Sequence, residues 1–356
     1  MQLRLRQVAE LAGVSEATVS RVLNDEPSVA ESTRREVLRA LLQLGHELVR
    51  ISHTRRKGLI GLIIPEFDNP VFPRFAQAME FLLAREALTT VLCTSTPSGM
   101  GEADYVEILL DHAVSGIVMI SGEHADHSRY LDLAARGVPT VLVNGTVPDP
   151  GVSTVTVDHA LAAKKGVAHL AALGHQRIGL ALGRGRYVIT GEFVKGYRRG
   201  LETIGLPLDE ALISETLDGI EGGHLAGTRL QQNGATGIVC ASDRIALGVI
   251  RSARDIGRNV PRDVSVIGFD DAGPNAYLDP PLTSLQQPFE RMAEAVVDLL
   301  RKPTLDEDVA SVGLRFAPEL VVRASTGPAP PSSEPGPAPT GQQAPIPGRC
   351  PSGAGG

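Results

Sequence analysis

The stretch VAELAGVSEATVSRVLN, residues 8–24, decides how the amino-terminal part of the chain is organised. Its apolar residues recur at helical spacing on both sides of Gly13, which interrupts the pattern. A glycine there permits the left-handed backbone of a tight turn, and Ser15 is placed as the N-cap of the second segment. The stretch therefore predicts a helix-turn-helix.

The apolar faces predict a small core for this unit, which spans residues 1–47. From the first two helices we expect these side chains to point inward: Val8, Leu11, Ala12, Val14, Val19, Val22 and Leu23. A third amphipathic helix is expected over residues 31–44, with these side chains inward: Val37, Leu38, Leu41 and Leu42. Three short helices would close a minimal core around the motif.

The polar side of the second helix carries hydroxyls, an amide and one arginine. Hydroxyls and amides bind phosphate oxygens, and an arginine can read a guanine edge with two hydrogen bonds. The alternative is a helical hairpin whose polar side faces only water. A short linker, residues 48–58, follows with Arg55 and Arg56, which either hold phosphates or are simply solvated.

Charge is divided unevenly along the 356 residues. Residues 1–57 contain ten basic and seven acidic side chains, a net charge of +3, which leaves −10 for the rest because the total is −7. A basic head on an acidic body suits a protein whose head alone meets a polyanion. A chain this long also exceeds one hydrophobic core, so two or three folded units are expected.

Several other classes of site are not indicated. The three cysteines are far apart and form no CxxC pair, which argues against a disulfide framework or a zinc site. The start has no apolar signal-peptide region, and no stretch reaches membrane-spanning length. We therefore expect a cytoplasmic, nucleoid-associated protein with no membrane contact, no metal and no cofactor.

From Leu59 onward the pattern alternates between strands and helices. The apolar runs LIGLIIP, TTVLCTS, GIVMIS and PTVLVNG are typical of buried parallel strands, and a second series is expected in VSTVTVD, RIGLALG, GIVCAS and VSVIGFDD. The intervening helices are expected over 74–86, 104–112, 128–136, 160–173, 196–204 and 244–256. The fold class is therefore an all-α head plus an α/β core with two doubly wound parallel sheets.

Two sheets make two lobes, and a ligand site is expected in the crevice at the strand ends. We assign residues 59–147 and 278–312 to the first lobe, and residues 152–276 and 313–325 to the second. After them comes a tail, residues 326–356, in which Pro, Gly, Ser and Ala dominate, so the tail is expected to be disordered.

The chain resembles the LacI/GalR family of bacterial transcription regulators over roughly residues 1–325. The motifs that carry the resemblance are the opening stretch, VAESTRREVLRALLQLGH, IGLIIPEFDNPVF, LAALGHQRIGLALG, ASDRIALGVIRSARDIGRNVPRDVSVIGFDD and YLDPPLTSLQQP. The resemblance implies a core like that of periplasmic binding proteins, homodimers on a palindromic operator in double-stranded DNA, and control by a carbohydrate or polyol effector. The expected function is that of a repressor.

The resemblance also assigns roles to single residues. It places four residues on DNA phosphates: Ser15, Thr18, Ser20 and Asn24. It places Glu16, Ala17 and Arg21 at base-reading positions. The linker is about three residues shorter than in the family and carries basic residues near Arg55 where an apolar wedge is usual, so no strong kink of the DNA is expected.

For the effector, the resemblance implies contacts from four residues: Phe72, Asp158, Ser242 and Asp270. Glu192 and Phe193 stand where many members carry an arginine that points into the cleft, and Phe193 is taken as a further effector contact. Asp270 is followed by Asp271, and paired acceptors suit the hydroxyl donors of a polyol. For Asp158 and Asp243 the competing interpretation is helix N-capping.

Three other functions compete with this one. A transport protein sharing the two-lobed core would need a signal peptide and would lack the opening motif. An enzyme has little support, since the sequence contains no GxGxxG, P-loop, GxSxG or HExxH motif, so no catalytic residue is predicted. A DNA-binding regulator whose cleft is vestigial and serves only for dimerisation remains open.

Overall fold

The computed structural model describes residues 5–23, 29–43, 58–95, 99–120, 133, 136–145, 152–184, 188–301 and 312–331. The chain begins with three short helices, α1 (Leu5–Ala12), α2 (Glu16–Leu23) and α3 (Glu31–Gln43). All three were expected from the apolar spacing, within one residue of the predicted end of α3.

The head has a small apolar core of its own. Its buried side chains are Val8, Ala9, Ala12, Val19, Val22, Val37 and Ala40. The prediction that Leu11 points inward is wrong, because this side chain is 50% exposed. The neighbouring alanines, Ala9 and Ala12, take the buried positions of α1 instead, where a small side chain lets the helices approach closely. The side chains of Leu23, Leu38, Leu41 and Leu42 lie outside the described part of the chain.

The body alternates strands and helices as predicted. In chain order its elements are β1 (Gly58–Ile64), α4 (Val71–Arg85), β2 (Leu88–Thr94), α5 (Glu102–Asp111), β3 (Gly116–Ile120), β4 (Thr140–Val143), β5 (Ser153–Val157), α6 (His159–Ala172), β6 (Ile178–Gly183), α7 (Val188–Ile204), β7 (Ile213–Thr216), α8 (Ile220–Gln232), β8 (Gly237–Cys240), α9 (Asp243–Asp255), β9 (Ser265–Asp270), β10 (Thr283–Gln286), α10 (Phe289–Leu300), β11 (Gly313–Phe316) and β12 (Glu319–Val321). The helix expected over 128–136 lies almost entirely outside the described residues.

These strands form two six-stranded sheets. The first has the order β11-β5-β4-β3-β1-β2 and the second β12-β10-β9-β8-β6-β7. All described pairings are parallel except β10 with β12. Helices α4 and α10 pack against the first sheet, whereas the pairs α6–α7 and α8–α9 pack against the second. The two doubly wound lobes of the prediction are confirmed.

The predicted lobe boundaries are wrong at three strands. β5 and β11 pair in the first sheet, although both were assigned to the second lobe, and β10 pairs in the second sheet, although it was assigned to the first lobe. The chain therefore crosses between the lobes after β5, after β10 and after β11. An apolar run shows that a strand is buried but does not show which sheet it joins, because the pairing partner sets that.

Several elements of the second lobe were not predicted, among them β7 and α8. Helix α8 contains Gly222 and Gly223, two residues of low helix propensity. Their purpose is close packing: a Cβ at Gly222 would lie 1.6 Å from the carbonyl oxygen of Leu217, and one at Gly223 would lie 2.2 Å from that of Ile245 in α9. Here the tertiary contact outweighs the low helix propensity of glycine.

The prediction that the tail is disordered from residue 326 is wrong for its first six residues. The backbone N–H of Ala329 donates to the carbonyl of Leu173 at 2.8 Å, and the carbonyl of Gly327 accepts from His175 Nε2 at 3.1 Å. Just before them, Ser325 is fully buried and donates to the carbonyl of Val266. Residues 326–331 are thus fastened to the second lobe, which a composition argument does not detect. Residues 332–356 lie outside the described part.

Replacing Tyr197 with phenylalanine should destabilise the second lobe. The fully buried Tyr197 hydroxyl donates to the carbonyl of Ile178 at 2.7 Å, so the variant leaves a buried acceptor unpaired. We expect a loss of about 1–3 kcal/mol in the free energy of unfolding, measured by urea denaturation. Tyr277→Phe is the matched control, since Tyr277 is 90% exposed. Equal stability of both variants would contradict the prediction.

Candidate functional site

The turn between α1 and α2 has the geometry that the sequence predicted. Gly13 adopts φ +65°, and since a Cβ there would meet nothing within 4 Å, the need for glycine is conformational rather than steric. Ser15 Oγ accepts from the backbone N–H of Thr18 at 3.1 Å, which makes Ser15 the N-cap of α2. These two residues set the angle at which α2 leaves the turn.

Helix α2 buries one side and exposes the other. Val19 and Val22 lie in the head core, whereas Glu16, Ala17 and Arg21 are exposed. Ser15 is also exposed, and Thr18 and Ser20 are half-buried. The structure therefore places the candidate base-reading residues together on the open side of the helix. Three candidate DNA contacts, Asn24, Arg55 and Arg56, lie outside the described residues.

The cleft between the lobes is bordered by residues with unusual backbone angles. Asn144 follows β4 with φ +57°, and Asp270 and Asp271 end β9 with φ +108° and +50°. Left-handed φ values are costly for residues other than glycine, so they persist only where surrounding contacts enforce them. All three side chains are placed at the carboxyl ends of strands, where α/β sheets bind ligands.

Asp270 is a buried acid of the cleft with a strongly raised pKa. The residue is 6% exposed, and its Oδ1 accepts a 2.6 Å hydrogen bond from Gln287 Nε2. Burial, reinforced by the negative charge of Asp243, raises the pKa of Asp270 well above its ordinary value. Gln287 Oε1 in turn lies 3.5 Å from Asn144 Nδ2. A chain of polar groups thus runs from Asp270 in the second lobe to Asn144 in the first.

Asp243 and Asp271 belong to the scaffold beneath Asp270. Asp243 accepts from the backbone N–H of Asp271 and from Asn275, both at 2.8 Å, and from Ser284 at 2.6 Å. Burial raises the pKa of Asp243 to about 6 despite these donors. Arg323 binds the carboxylate of Asp271 with two hydrogen bonds of 2.8 and 3.0 Å. Such paired contacts fix the end of β9 and with it the direction of Asp270.

The remaining candidate effector residues divide between capping and packing. Asp158 Oδ1 accepts from the N–H of Leu161 at 2.8 Å, and Ser242 Oγ accepts from the N–H of Ile245 at 3.2 Å, so both are N-caps, of α6 and α9. Phe72 is half-buried in the first turn of α4, because this helix begins three residues earlier than predicted.

Phe193 does not present a surface to the cleft. The side chain is fully buried, with its ring centroid 5.1 Å from that of Phe269 in an edge-to-face arrangement and 5.7 Å from that of His159. In this arrangement Phe193 therefore exposes no surface for the ligand contact that was predicted for it. Its ring packs against Phe269 and His159 instead.

Two arginines bridge the lobes on the side of the cleft that Asp271 borders. Arg244 in α9 lies 2.6 Å from Glu66 after β1, and both side chains are partly shielded. Arg74 in α4 donates to the backbone carbonyl of Asp271 at 3.0 Å. Because each contact joins one lobe to the other, together they favour the closed arrangement.

Arg244→Gln should therefore shift the ligand-free core toward an open arrangement. Removing a partly exposed ion pair changes such an equilibrium by up to about 1 kcal/mol, or roughly fivefold. We expect hydrogen exchange of the amides in 69–75 and 271–277 to speed up by about that factor. Arg254→Gln is the control, because the hydrogen bond that Arg254 makes among the described residues is to the Asp279 carbonyl, within its own lobe. Equal acceleration in both variants would contradict an inter-lobe role.

Sequence reasoning missed two polar residues that complete the cleft. Gln287 follows β10, a short strand that was not assigned, and so its position at a strand end was hidden. Asn144 was included in the predicted strand PTVLVNG and directly follows β4 in the structure, so its place at the end of that strand was a usable signal.

A helix-turn-helix with exposed hydroxyls and an arginine, on the same chain as a two-lobed core with a polar cleft, defines a ligand-responsive DNA-binding protein. Comparison with known proteins gives the family. Residues 4–47 match the model of bacterial regulatory proteins of the lacI family, and residues 167–326 match that of a periplasmic binding protein-like domain. The chain belongs to the LacI family of bacterial transcriptional regulators.

Individual relatives agree along nearly the whole chain. The HTH-type transcriptional regulator in the aml 5' region of Streptomyces limosus is 47% identical over 91% of this chain and 94% of its own length. The structure of a transcriptional regulator CelR–cellobiose complex has a TM-score of 0.68 with 31% identity, covering 91% of this chain and all of that one. The lac repressor dimer bound to operator and the anti-inducer ONPF has a TM-score of 0.67 with 27% identity, covering 92% and 100%.

The protein is thus a DNA-binding regulator, in a family whose members are not enzymes. Regulators of this family act on DNA in the cytoplasm. Among the residues that the structure describes, no helix combines the length and the apolar character needed to cross a membrane.

Proposed function

We propose that the protein is a repressor that binds a palindromic operator as a homodimer and is controlled by a carbohydrate bound in its cleft. The observation that carries the proposal is the polar chain Asp270–Gln287–Asn144, which joins the two lobes through hydrogen bonds. A ligand that replaces part of this chain contacts both lobes at once, so it binds one arrangement of the lobes better than the other. Differential binding of this kind is the basis of allosteric control.

The nature of the ligand follows from the chemistry of the cleft. Asp270 offers carboxylate acceptors, whereas the amides of Asn144 and Gln287 offer both donors and acceptors. Hydroxyl groups, which donate and accept, match this set. The cellobiose complex of a relative with 31% identity supports a sugar. A cleft that is vestigial would not keep a buried acid that burial penalises, which is why the alternative of a core used only for dimerisation is less favoured.

On DNA, we propose that Ser15, Thr18 and Ser20 contact phosphates while Glu16, Ala17 and Arg21 face the base edges of a major groove. The exposure of Glu16, Ala17 and Arg21 on one helix supports these roles. For Asn24, Arg55 and Arg56 the proposal of DNA contact rests on the sequence. One small head makes too few contacts for specific affinity, so two heads on a two-fold symmetric site are needed.

Dimerisation is supported by large apolar side chains on the outside of the core. In the second lobe these are Leu217, Leu225, Ile256 and Tyr277, exposed by 62, 60, 49 and 90%. In the first lobe they include Phe81 at 62% and Leu92 at 42%. Helices α8 and α9, which carry or adjoin three of these residues, pack on one another, so their exposed groups form a candidate interface. We place the working dimer in the cytoplasm, on the nucleoid.

A ligand screen tests the effector part of the proposal. Thermal unfolding of the full chain should shift upward with at least one neutral sugar, because a ligand that binds only the folded state stabilises it. That sugar should then change the affinity of the protein for its selected operator in an anisotropy titration. If no sugar in the screen changed the unfolding temperature or the operator affinity, carbohydrate control would be contradicted.

A further inference from the structure

The segment that follows β12 returns across the second lobe and contacts both ends of β9. At the amino end, Ser325 is fully buried and its Oγ donates to the carbonyl of Val266 at 2.6 Å. At the carboxyl end, Arg323 holds the carboxylate of Asp271 with two hydrogen bonds of 2.8 and 3.0 Å. One short piece of chain therefore fixes the strand that ends in Asp270.

Arg323 is held by neighbours other than Asp271. Its backbone N–H donates to Thr283 Oγ1 at 2.9 Å, and its Nη1 also donates to the carbonyl of Leu282 at 2.7 Å. Both of these partners lie at the start of β10, in the same lobe as Arg323. The guanidinium is therefore tied to β10, so it offers the carboxylate of Asp271 a fixed position.

Asp271 needs this support because its backbone angle is unfavourable. Its φ of +50° lies in the left-handed region, which residues other than glycine adopt only where other contacts enforce it. Its buried carboxylate also accepts from Asn275 Nδ2 at 3.0 Å and from Gln286 Nε2 at 3.2 Å. Of these three donor residues, Arg323 alone carries a charge and binds both carboxylate oxygens, so it makes the strongest of the contacts.

The carbonyl of Asp271 is a contact point for the first lobe. Arg74 Nη1, in α4, donates to this oxygen at 3.0 Å. The Arg74 guanidinium also lies 5.2 Å from the ring centroid of Phe289 and 3.7 Å from Glu290, both at the start of α10 in the first lobe. Asp271 is thus held by its side chain from the second lobe, through Arg323, and by its carbonyl from the first, through Arg74.

We propose that Arg323 is a positioning residue for closure of the lobes, because it holds Asp271 in the orientation in which the Asp271 carbonyl accepts from Arg74. Loss of the two-pronged contact frees Asp271 to leave its left-handed angle, which turns the carbonyl away from Arg74 and favours the open arrangement. The competing explanation is that Arg323 only neutralises a buried carboxylate within the second lobe. The inference requires no ligand. It rests on the proposed function for its consequence alone, that a shift in closure changes the affinity for operator DNA.

The distance between two spin labels, one in each lobe, tests the proposal on the full chain without DNA or sugar. Labels are attached at Asp111→Cys, the exposed last residue of α5, and at Glu202→Cys, exposed on α7, with Cys350→Ser to remove a competing thiol. Cys93 and Cys240 are buried and stay unlabelled. Mixing with an excess of unlabelled chain keeps the measured pairs within one chain. Double electron–electron resonance then gives the ratio of open to closed molecules.

Arg323→Lys keeps the charge but not the two-pronged contact, so we expect it to raise the ratio of open to closed molecules about fivefold. Arg74→Gln removes the donor from the other lobe and should raise the ratio by a similar factor. Because both residues act through Asp271, the double variant should resemble either single variant instead of showing the product, about 25-fold. Asp271→Asn, which tolerates the left-handed angle and keeps the carbonyl, should also favour the open arrangement.

Arg177→Lys is the control for a purely structural role. Arg177 donates to Asp209 and to the carbonyl of Asn233, both within the second lobe, so this variant should leave the ratio unchanged even where it lowers the unfolding temperature. A wild-type ratio in Arg323→Lys, an equal rise in Arg177→Lys, or independent effects of Arg323→Lys and Arg74→Gln would overturn the positioning role. Each of these results leaves carbohydrate control standing, because the ligand screen tests that proposal separately.

Discussion

Asp270→Ala is expected to abolish the effector response while the affinity for operator DNA in ligand-free buffer stays unchanged. Asp270 is the central polar group of the cleft, and leaving the buried partner of a hydrogen bond unpaired costs about 1–3 kcal/mol, so loss of Asp270 should weaken effector binding roughly 5- to 150-fold. The fold should survive, because burial and Asp243 already disfavour the charge of Asp270. The measurement is an anisotropy titration of operator DNA with and without the sugar found by thermal shift.

A matched substitution separates this effect from general loss of charge. Asp298→Ala removes a carboxylate that is 71% exposed on α10 and paired only locally with Arg301 among the described residues. It should leave the effector response intact. If the sugar still changed the operator affinity of the Asp270→Ala protein, at the concentration that acts on the wild type, the ligand would have to bind elsewhere.

Arg21→Ala is expected to weaken operator binding and to relax the preference at one base pair of each half-site. Arg21 is exposed near the end of α2, on the same side as Glu16 and Ala17. A bidentate contact from arginine to guanine contributes about 1–3 kcal/mol of discrimination, or roughly 5- to 150-fold. Binding to a library of operators that differ at single positions should show the loss at one position and little change elsewhere.

Thr18→Ala is the informative comparison for Arg21. Thr18 is half-buried, and its hydroxyl lies 2.8 Å from that of Ser15 at the start of α2, where a phosphate contact is proposed. Loss of a phosphate contact weakens binding to all sequences alike, because phosphates carry no base information. If Arg21→Ala behaved like Thr18→Ala, with an unchanged base preference, the base-reading role of Arg21 would be wrong.

The sequence predicted the head more completely than the body. Gly13 and Ser15 act locally, through the backbone of one turn and one cap, so residue type alone indicated the geometry. Leu11 was the exception, since which side of α1 is buried depends on α2 and α3 rather than on α1 itself. In the body, the largely apolar strands β3 and β4 were equally easy to predict from the sequence. Strands that are buried on both faces need apolar side chains along their length.

Long-range pairing was the part that could not be predicted. β5, β10 and β11 were each placed in the wrong lobe because their partners lie far away in the sequence. The same limit hid Gln287, which reaches Asp270 because β10 pairs with β9 in a register that sets Gln286 opposite Asp270. Helix α8 was not predicted for a related reason, because the place of Gly223 in a helix depends on its contact with α9.

The candidate site is also where local preferences are violated. Asn144, Asp270 and Asp271 all hold left-handed backbone angles that local sequence alone disfavours. Surrounding contacts, such as the Arg323 pair with Asp271, compensate for that cost. Strain of this kind at a cleft is expected where a site must hold polar groups in one direction for a ligand.

Selection of binding sites from a pool of random DNA duplexes, followed by sedimentation of the complex, tests the central claim most directly. The full chain at physiological salt should enrich a single two-fold symmetric sequence and bind it as two protomers per duplex. A neutral sugar should then alter the affinity for that sequence. Enrichment of no sequence, together with a chain that sediments as a monomer on and off DNA, would contradict the account.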